Sequence, residues 1–241
     1  MPFADIHIHA LCGVDDGAKT DEDMFAIIDA AYADGTRLMC VTPHFNPGMF
    51  GEHHERTVHM FEKLKSYVSE KYPDLALFLG NEIRYAPSCH NWIYDGVCFS
   101  LGDTKYVLME FSYSDGSAKI INGLEKMFNS GFIPILAHAE RYPRLSIPEI
   151  RALRDNGVLI QVDSMSLLRD FGFSEWFRSK RILKERLANF VSSDAHDLTS
   201  RPPELSPSFE YVKKKFGERY AKAIFYENAC ELFGLNKESE V

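Results

Sequence analysis

Short apolar runs alternate with longer amphipathic segments along the 241 residues of the chain. The short runs are rich in β-branched and aromatic residues, which predicts buried strands, and the longer segments have the spacing of amphipathic helices. Because no internal repeat and no Pro/Gly/Ser-rich linker divides the chain, residues 1–241 are expected to form one domain. Seven strands are predicted, at residues 3–10, 38–44, 75–82, 104–111, 132–140, 158–164 and 189–196.

Helix signals lie between these strands. Thr20, which precedes three acidic residues, is the predicted N-cap of a helix that ends at Gly35. Strands that alternate with helices predict a parallel sheet, either closed as a barrel or open and doubly wound. The other helices are predicted at residues 56–70, 118–130 and 147–157 and in a stretch that ends at Arg186.

Metal-binding side chains stand at the carboxyl ends of six of the seven predicted strands. The carboxyl ends of parallel strands converge on one face, where α/β proteins build their sites. Convergence from six strands favours a closed sheet, because the outer strands of an open sheet lie too far apart. We therefore predict an α/β fold, a distorted (β/α)7 TIM-like barrel with its active site at these ends. The residues concerned are His9, His44, Glu82, Glu110, His138, and Asp194 with His196.

The first strand carries two histidines on one face. Successive side chains of a strand point to opposite faces, so His7 and His9 share a face with Asp5. A lone H-x-H pair is weak evidence for a metal, because histidines are often satisfied by backbone carbonyls or water. The candidate ligands at the ends of the other strands strengthen the interpretation of His7 and His9 as metal ligands. Asp5 is expected to orient a histidine rather than to bind a metal.

Composition narrows the classes of partner. A net charge of −8 disfavours nucleic acid, whose binding requires clustered Lys and Arg. No apolar stretch is long enough to span a bilayer, and the first strand begins too near Met1 to leave room for a signal peptide. We therefore expect no membrane insertion and a cytoplasmic location.

The five cysteines point away from thiol chemistry. They are scattered and form no C-x-x-C pair, which is typical of small buried apolar residues rather than of a disulfide framework or a structural zinc site. None is followed six positions later by arginine, the spacing that a cysteine-dependent phosphatase needs for its phosphate.

The candidate donors mix imidazole with carboxylate and include no thiolate, which suits Mn, Fe or Zn. They are more than one ion can use, so two or three ions are expected, with a carboxylate such as Glu82 as a bridge. Multinuclear sites of this kind clamp the attacking and departing oxygens of a phosphoryl transfer and generate hydroxide at neutral pH. The candidate metal ligands are His7, His9, Asp16, His44, Glu82, Glu110, His138, Asp194 and His196.

Two arginines stand near these ligands. Arg141 lies three residues after His138 and Arg201 five residues after His196, so both are placed to fork onto the non-bridging oxygens of a phosphate. Surface ion pairs are the alternative. Met49 and Phe50 lie in a segment that either borders the site or is a plain surface loop. Four other histidines are expected to be solvated: His53, His54, His59 and His90.

The motifs together resemble a known family, the polymerase-and-histidinol-phosphatase superfamily, and within it the bacterial metal-dependent protein-tyrosine phosphatases of capsule and exopolysaccharide loci. The resemblance implies a trinuclear site formed by the nine candidate ligands, with Arg141 and Arg201 as phosphate-binding residues. Asp16 is preferred to Asp15 on this match, since spacing does not separate neighbours. The motifs are DIHIH, VDDG, PHFNPGMF, GNEIRY, YVLMEF, PILAHAERY and SDAHDLTSRPP.

The function expected from this resemblance is hydrolysis of protein phosphotyrosine with Mn as the first choice of metal. The expected substrate is the tyrosine-rich tail of a bacterial tyrosine kinase that controls polysaccharide export. A small-molecule phosphatase acting on histidinol phosphate, and a non-catalytic metal-binding module, are the alternatives. His44 or a bound water could supply the proton for the leaving group. Residues 87–103 follow no pattern that can be assigned.

Overall fold

Nine short strand segments form the centre of the computed structural model, which describes residues 1–50, 54–169 and 172–235. β1, β2 and β4 form one sheet, and β3, β5, β6, β7, β8 and β9 form a second, in that order. All pairings within these sheets are parallel. The segments are β1 (Phe3–Ile8), β2 (Thr36–Val41), β3 (His44–Phe45), β4 (Ala76–Leu79), β5 (Glu82–Arg84), β6 (Tyr106–Glu110), β7 (Ile133–Leu136), β8 (Leu159–Asp163) and β9 (Phe190–Ser192).

Two of the strands are interrupted. Thr42 and Pro43 separate β2 from β3, and Gly80 and Asn81 separate β4 from β5. A proline has no backbone N–H to donate to a ladder, which accounts for the first break. Because β2 pairs with β4 and β3 pairs with β5, each interrupted strand passes from the first sheet into the second.

The first and last strands close the barrel. Ile8 forms a parallel bridge with Ala195, which follows β9. Beside it the backbone N–H of His9 donates to the carbonyl of Ala195 at 2.8 Å, and that of Asp194 donates to the carbonyl of His7 at 2.9 Å. With each interrupted strand counted once, seven strands follow one another around the barrel, and the predicted distorted barrel of seven β/α units is confirmed.

Ten helices accompany the strands in the described residues. Thr20 accepts a hydrogen bond from the backbone of Asp23 in a capping box, and Gly35 ends α1 with φ at 111°, as predicted. None of the described helices is both long and apolar enough to cross a bilayer. The helices are α1 (Asp21–Asp34), α2 (His54–Lys71), α3 (Cys89–Tyr94), α4 (Ser117–Asn129), α5 (Ile147–Asp155), α6 (Ser164–Leu168), α7 (Phe173–Lys184), α8 (Ser206–Phe216), α9 (Glu218–Lys222) and α10 (Asn228–Leu232).

Several predicted limits differ from those of the structure; for example, the strand predicted at 189–196 ends as β9 at Ser192. The strand predicted at 132–140 ends as β7 at Leu136, because His138 adopts a left-handed φ of 34° and residues 139–141 form a 3-10 turn. The helical stretch predicted to end at Arg186 is divided into α6 and α7, since Arg169 ends α6 with φ at 76°. The unassigned segment 87–103 contains α3 and a second 3-10 turn at Leu101–Asp103.

The two ends of the barrel differ in chemistry. At the amino end, where the strands begin, buried apolar side chains such as Leu38, Leu108 and Ile135 pack with Leu232 of α10. Further along the same strands, at the carboxyl end, the side chains become histidines and carboxylates. Two other apolar clusters lie where strands pack against helices, one with α1 and α2 and one that includes α4, α5, α7 and α8. The fold thus places a polar, buried chamber on an apolar base.

Candidate metal centre

The nine predicted ligands are brought together at the carboxyl end of the barrel. They come from β1, β3, β5 and β6 and from the segments that follow β1, β7 and β9. Eight of them form three overlapping groups whose donor atoms lie within 4.8 Å of one another, and the ninth, His138, donates through Nε2 to Glu82 Oε1 at 2.7 Å. The groups are His7, His9, Glu82 and Asp194; His9, Asp16, His44 and His196; and His44, Glu82 and Glu110.

The first group has the geometry of a four-coordinate cage. His7 Nε2 lies 3.1 Å from His9 Nε2, 3.3 Å from Glu82 Oε2 and 3.2 Å from Asp194 Oδ1. His9 Nε2 lies 3.4 Å from the same Glu82 oxygen and 3.3 Å from the same Asp194 oxygen. A point equidistant from four atoms at this spacing lies about 2 Å from each, which is the usual metal distance for imidazole and carboxylate ligands.

The other two groups share residues with the first. Asp16 Oδ1 lies 3.5 Å from His44 Nε2 and 3.5 Å from His196 Nε2. The other ring nitrogen of His44, Nδ1, lies 2.8 Å from Glu82 Oε2 and 3.4 Å from Glu110 Oε1. Glu82 therefore contacts residues of all three groups, the position expected of a bridging carboxylate.

Several of these atoms are buried and make no hydrogen bond of favourable geometry within the part of the chain that the structure describes, although two of them, His44 Nδ1 and Glu82 Oε2, lie 2.8 Å apart. They include Glu82 Oε2, His44 Nδ1 and His196 Nε2. Buried polar atoms in native proteins almost always have a partner, and one without a partner costs about 1 to 3 kcal/mol. Imidazole nitrogens and carboxylate oxygens that converge without donors fit divalent cations, so the residues present suit the predicted metal.

The opposite ring nitrogens of the histidines are held by neighbours. His9 Nδ1 donates to Asp15 Oδ2 at 2.7 Å, and His196 Nδ1 donates to the backbone carbonyl of Asp194 at 2.9 Å. Each contact leaves Nε2 directed at the cluster, as metal-binding histidines require. The neighbours Asp15 and Asp16 are thereby distinguished: Asp15 is buried behind His9, whereas Asp16 faces His44 and His196.

Both arginines predicted to bind phosphate contact the same buried carboxylate. Arg141 Nη2 donates to Asp194 Oδ2 at 2.8 Å, and Arg201 Nη2 donates to the same oxygen. Arg141 also pairs with Asp163. Asp194 thus presents Oδ1 to the first metal group and Oδ2 to the two guanidinium groups. Surface ion pairs, the alternative for these arginines, do not describe contacts to so deeply buried an aspartate.

A cavity of about 230 Å³ opens beside this arrangement. It is bordered by both arginines, by ligands from the metal groups and by the aromatic rings of Phe111, Tyr113 and Tyr142. Arg84, which sequence reasoning missed, also borders it and pairs with Glu110 at 3.0 Å. The cavity therefore combines cationic, anionic and aromatic surfaces next to the candidate metal ligands.

In this site, burial and neighbouring charges shift the pKa values of the ionisable side chains in opposite directions. Burial alone would raise the pKa of the Glu82 carboxyl, but the His7 and His44 imidazoles hold that pKa well below its usual value. For Asp194 burial likewise acts upward, while His7 and the two arginines keep the pKa well below the usual range. Burial lowers the pKa of His7, yet Glu82 and Asp194 raise it overall. The charged carboxylates therefore attract either protons or metal cations to the imidazoles, and the two compete.

Two site residues have an unfavourable backbone conformation. His138 has φ at 34° and Asp194 has φ at 53°, in the left-handed region that residues with a Cβ seldom adopt. His138 lies two residues after β7 and Asp194 two residues after β9, and at each position the left-handed residue ends the extended backbone of the strand. Such strain is commonly found at functional sites.

Other predictions about the surroundings have mixed outcomes. Asp5 does support His7, but through the backbone N–H of His7 at 3.3 Å, and it also accepts from Ser193. The His7 ring is contacted instead by Gln161 on β8, which sequence reasoning did not single out. The signal available was a pair of polar residues, Gln161 and Asp163, in an otherwise apolar strand.

The expectation that four further histidines are solvated holds for His59, which is exposed. It is wrong for His54, which stacks on Phe99 with ring centroids 4.8 Å apart, and for His90, which is partly buried. His53 lies outside the described residues. Of the two loop residues, Phe50 stacks on the His44 ring at 5.7 Å, whereas Met49 is 69% exposed. Of these two residues, Phe50 therefore borders the site.

Comparisons with known proteins agree on one family. The family model described as "Capsular polysaccharide synthesis, CpsB/CapC" matches residues 3–234. The tyrosine-protein phosphatase CpsB of Streptococcus pneumoniae is 32% identical over 231 residues, which cover 93% of this chain and 95% of that protein. The tyrosine-protein phosphatase YwqE of Bacillus subtilis (strain 168) is 30% identical over 220 residues, covering 88% and 85%.

Solved structures give the same result. A crystal structure from work on YwqE of Bacillus subtilis and CpsB of Streptococcus pneumoniae, described as unique metal-dependent tyrosine phosphatases, superposes with a TM-score of 0.87 at 27% identity. It covers 96% of this chain and 94% of that one. An enamidase of the amidohydrolase superfamily superposes with a TM-score of 0.55 at 13% identity, over 96% of this chain and 67% of that one, which shows a shared barrel fold only.

Proposed function

The chain belongs to the CpsB/CapC family of capsular polysaccharide synthesis, and on that basis we propose how its residues divide the work of a metal-dependent tyrosine-protein phosphatase. The family and the enzyme class agree with the sequence prediction. The proposal concerns the finer assignments: which residues hold metal, which hold the phosphate, which ions are used and which protein is the substrate.

The observation that carries the proposal is the division of the Asp194 carboxylate. One oxygen faces His7 and His9, and the other accepts from Arg141 and Arg201. Only the Asp194 carboxylate separates the two arginines from the first metal group. A phosphoryl group bound beside it would therefore contact the arginines and the metal ions together. We assign two or three ions to the nine ligands and the phosphate oxygens to the arginines.

Bound divalent ions would supply Lewis acidity toward the phosphoryl oxygens and lower the pKa of water to near neutrality. The chain's own residues would do the rest. Arg141 and Arg201 would bind the non-bridging oxygens and stabilise the charge that develops on them during transfer. Since Asp194 already fixes both guanidinium groups, little reorganisation is needed when the phosphate arrives.

The aromatic side of the cavity suits the tyrosine ring of the substrate. Phe111 and Tyr142 are buried, whereas Tyr113 is 57% exposed at the opening. We place the substrate ring among these three, with the peptide backbone outside. A phenol with a pKa of about 10 gives a fairly good leaving group, so a strong proton donor is not required. Water in the cavity is the candidate proton donor, because both ring nitrogens of His44 face the metal groups.

The ions are proposed to be Mn, with Fe or Zn as alternatives, because imidazole-rich donor sets disfavour Mg, which prefers octahedral oxygen coordination. The substrate is proposed to be the phosphotyrosine-containing tail of a bacterial tyrosine kinase that controls polysaccharide export. The cytoplasmic location stays a prediction from the sequence.

A parallel assay tests the proposal. Protein stripped with a chelator is reconstituted with Mn, Fe, Zn or Mg and offered a phosphotyrosine peptide and histidinol phosphate in separate reactions. We expect no turnover without metal, the highest turnover with Mn and a clear preference for the peptide. Full activity after verified metal removal would contradict the metal assignment, and a preference for histidinol phosphate would contradict the substrate assignment.

A further inference from the structure

One strand of the barrel provides no candidate metal ligand. β8 instead carries Gln161 and Asp163, two residues apart and therefore on the same face, and both are fully buried. Burying an amide and a carboxylate is costly unless each finds hydrogen-bond partners. The contacts of these two residues, called here the β8 pair, lead in one direction to the metal groups and in the other to the phosphate site.

The amide of Gln161 has a defined orientation. Its Nε2 donates to Asp163 Oδ1 at 2.9 Å, and its Oε1 accepts from the backbone N–H of His138 at 2.6 Å. A flipped amide would turn its NH2 group toward the donor of His138 and its oxygen toward the carboxylate of Asp163. Both contacts would be repulsive, so the network assigns the orientation.

The orientation of the amide fixes the tautomer of His7. Gln161 Oε1 also lies 3.3 Å from His7 Nδ1, and an amide oxygen only accepts. His7 must therefore carry its proton on Nδ1. The lone pair of Nε2 then faces Glu82 and Asp194, at 3.3 Å and 3.2 Å, in the group with the geometry of a metal cage.

The same aspartate holds the phosphate site. Asp163 Oδ2 pairs with Nη2 of Arg141, the group that also donates to Asp194 Oδ2. The backbone N–H of Asp163 donates to Glu140 Oε1 at 3.2 Å, which fixes the end of the strand. Arg141 is thus held between two buried carboxylates, one on β8 and one after β9.

We infer that the β8 pair is a positioning device that acts on both halves of the site. The Asp163 carboxylate fixes the Gln161 amide and through it the His7 tautomer, and its second oxygen orients Arg141. This inference rests on the proposed function, because it takes His7 as a metal ligand and Arg141 as a phosphate-binding residue. It makes Gln161 and Asp163 positioning residues that do not touch the substrate.

An isosteric substitution tests this assignment. In Asp163→Asn the side chain presents one acceptor and one donor and no charge, so it no longer both accepts from Gln161 and forms an ion pair with Arg141. In Gln161→Glu the new carboxylate still accepts from His7 and His138 but faces the carboxylate of Asp163. Each single variant is expected to lose about 10- to 100-fold in metal affinity or in kcat/KM, the usual effect of removing a partner that orients a ligand.

The double variant Gln161→Glu/Asp163→Asn reverses the polarity of the pair and again gives each of these groups a partner, with a neutral contact in place of the ion pair to Arg141. The carboxylate introduced at position 161 would accept from His7, from His138 and from the amide introduced at position 163. The oxygen of that amide would accept from Arg141. The summed charge is also that of the natural pair. We expect the double variant to recover most of the metal affinity and of kcat/KM, a rescue that loss of packing would not produce.

Metal content and metal affinity for Mn alone are measured beside kcat and KM on the phosphotyrosine peptide, with circular dichroism to verify folding. Asp29→Asn is the matched control, since Asp29 accepts from Tyr67, Tyr72 and Lys71 far from the site, and it should behave as the natural protein does. Single variants with natural metal affinity and kinetics would overturn the inference, and so would a double variant as impaired as the singles.

Failure of the proposed function is distinguishable from failure of this inference. If the unmodified, Mn-loaded protein does not hydrolyse the peptide, the proposed function fails. The comparison of Mn affinity among the variants still tests whether the β8 pair orients His7 for metal binding. If Asp163→Asn does not fold, Gln161→Glu and the double variant decide the question, because rescue is measured between them.

Discussion

The amino end and the carboxyl end of the barrel are built from the same strands but follow opposite rules. At the amino end, Leu108 and Ile135 pack fully buried against apolar neighbours. At the carboxyl end, two or three residues later along the chain, Glu110 and His138 belong to a cluster with unpaired buried atoms and left-handed backbone. The contrast indicates that packing at the amino end stabilises the fold, whereas the arrangement of the site at the carboxyl end lowers its stability.

The largest effect is expected from Asp194→Asn, because Asp194 is common to the proposed metal and phosphate sites. Asparagine tolerates the left-handed backbone, so the change removes the charge without adding strain. Metal content and activity should fall together. The value of kcat/KM should fall roughly a thousandfold, which corresponds to a loss of about 4 kcal/mol of transition-state stabilisation, since ions contribute several kcal/mol to phosphoryl transfer. Metal analysis with steady-state kinetics checks this. Full metal content in the variant would remove Asp194 from the ligand set.

A smaller effect is expected from Arg201→Ala, which separates phosphate binding from metal binding. The variant should keep its full metal complement. The fall in kcat/KM should correspond to a loss of about 2 to 4 kcal/mol of transition-state stabilisation, the usual loss for one group that stabilises charge in the transition state. Arg201→Lys should recover little, because an ammonium does not fork across two oxygens. Natural kinetics in the alanine variant would assign Arg201 to a purely structural pairing with Asp194.

The amino end should respond in the opposite manner. Ile135→Val removes one methylene from the apolar base and should lower the free energy of unfolding by about 1 kcal/mol, measured by urea denaturation. Metal content and kcat/KM of the folded variant should match those of the natural protein. A loss of activity larger than the loss of stability would show that the two ends are coupled.

The smallest effect is expected from alkylation of the cysteines. Burial raises the pKa of the Cys12, Cys40, Cys89 and Cys98 thiols, so none of these is a ready thiolate. Iodoacetamide treatment of the folded, metal-loaded protein should leave turnover unchanged. Inactivation with metal content and fold intact would require a thiol in the mechanism.

The strand ends were predictable from the sequence because they obey a local rule. Alternation of apolar and polar residues locates each strand, and a histidine or carboxylate at its end falls on the common face. His9, His44, Glu82, Glu110 and His138 needed no more information than that. The breaks at Pro43 and Gly80 were less predictable, since each depends on pairing with a neighbouring strand.

The supporting residues were harder to predict because their roles depend on partners distant in sequence. Gln161 contacts His7, which is 154 residues away; the polar pair in β8 singles out Gln161 but does not identify His7 as its partner. Asp15 and Asp16 differ in role only because one turns toward His9 and the other toward His196. Tertiary packing decides such cases.

The closure of the barrel between β1 and the segment after β9 has a consequence for biosynthesis. His7 is made long before Asp194, whose backbone N–H donates to the His7 carbonyl, so the site is incomplete until the segment after β9 exists. At a translation rate of about 5 to 20 residues per second, the first strand waits about 10 to 40 s for the last. The nascent chain therefore carries its histidines through synthesis without the assembled cage, and on the proposed ligand assignment metal loading at this site would be a late event of maturation.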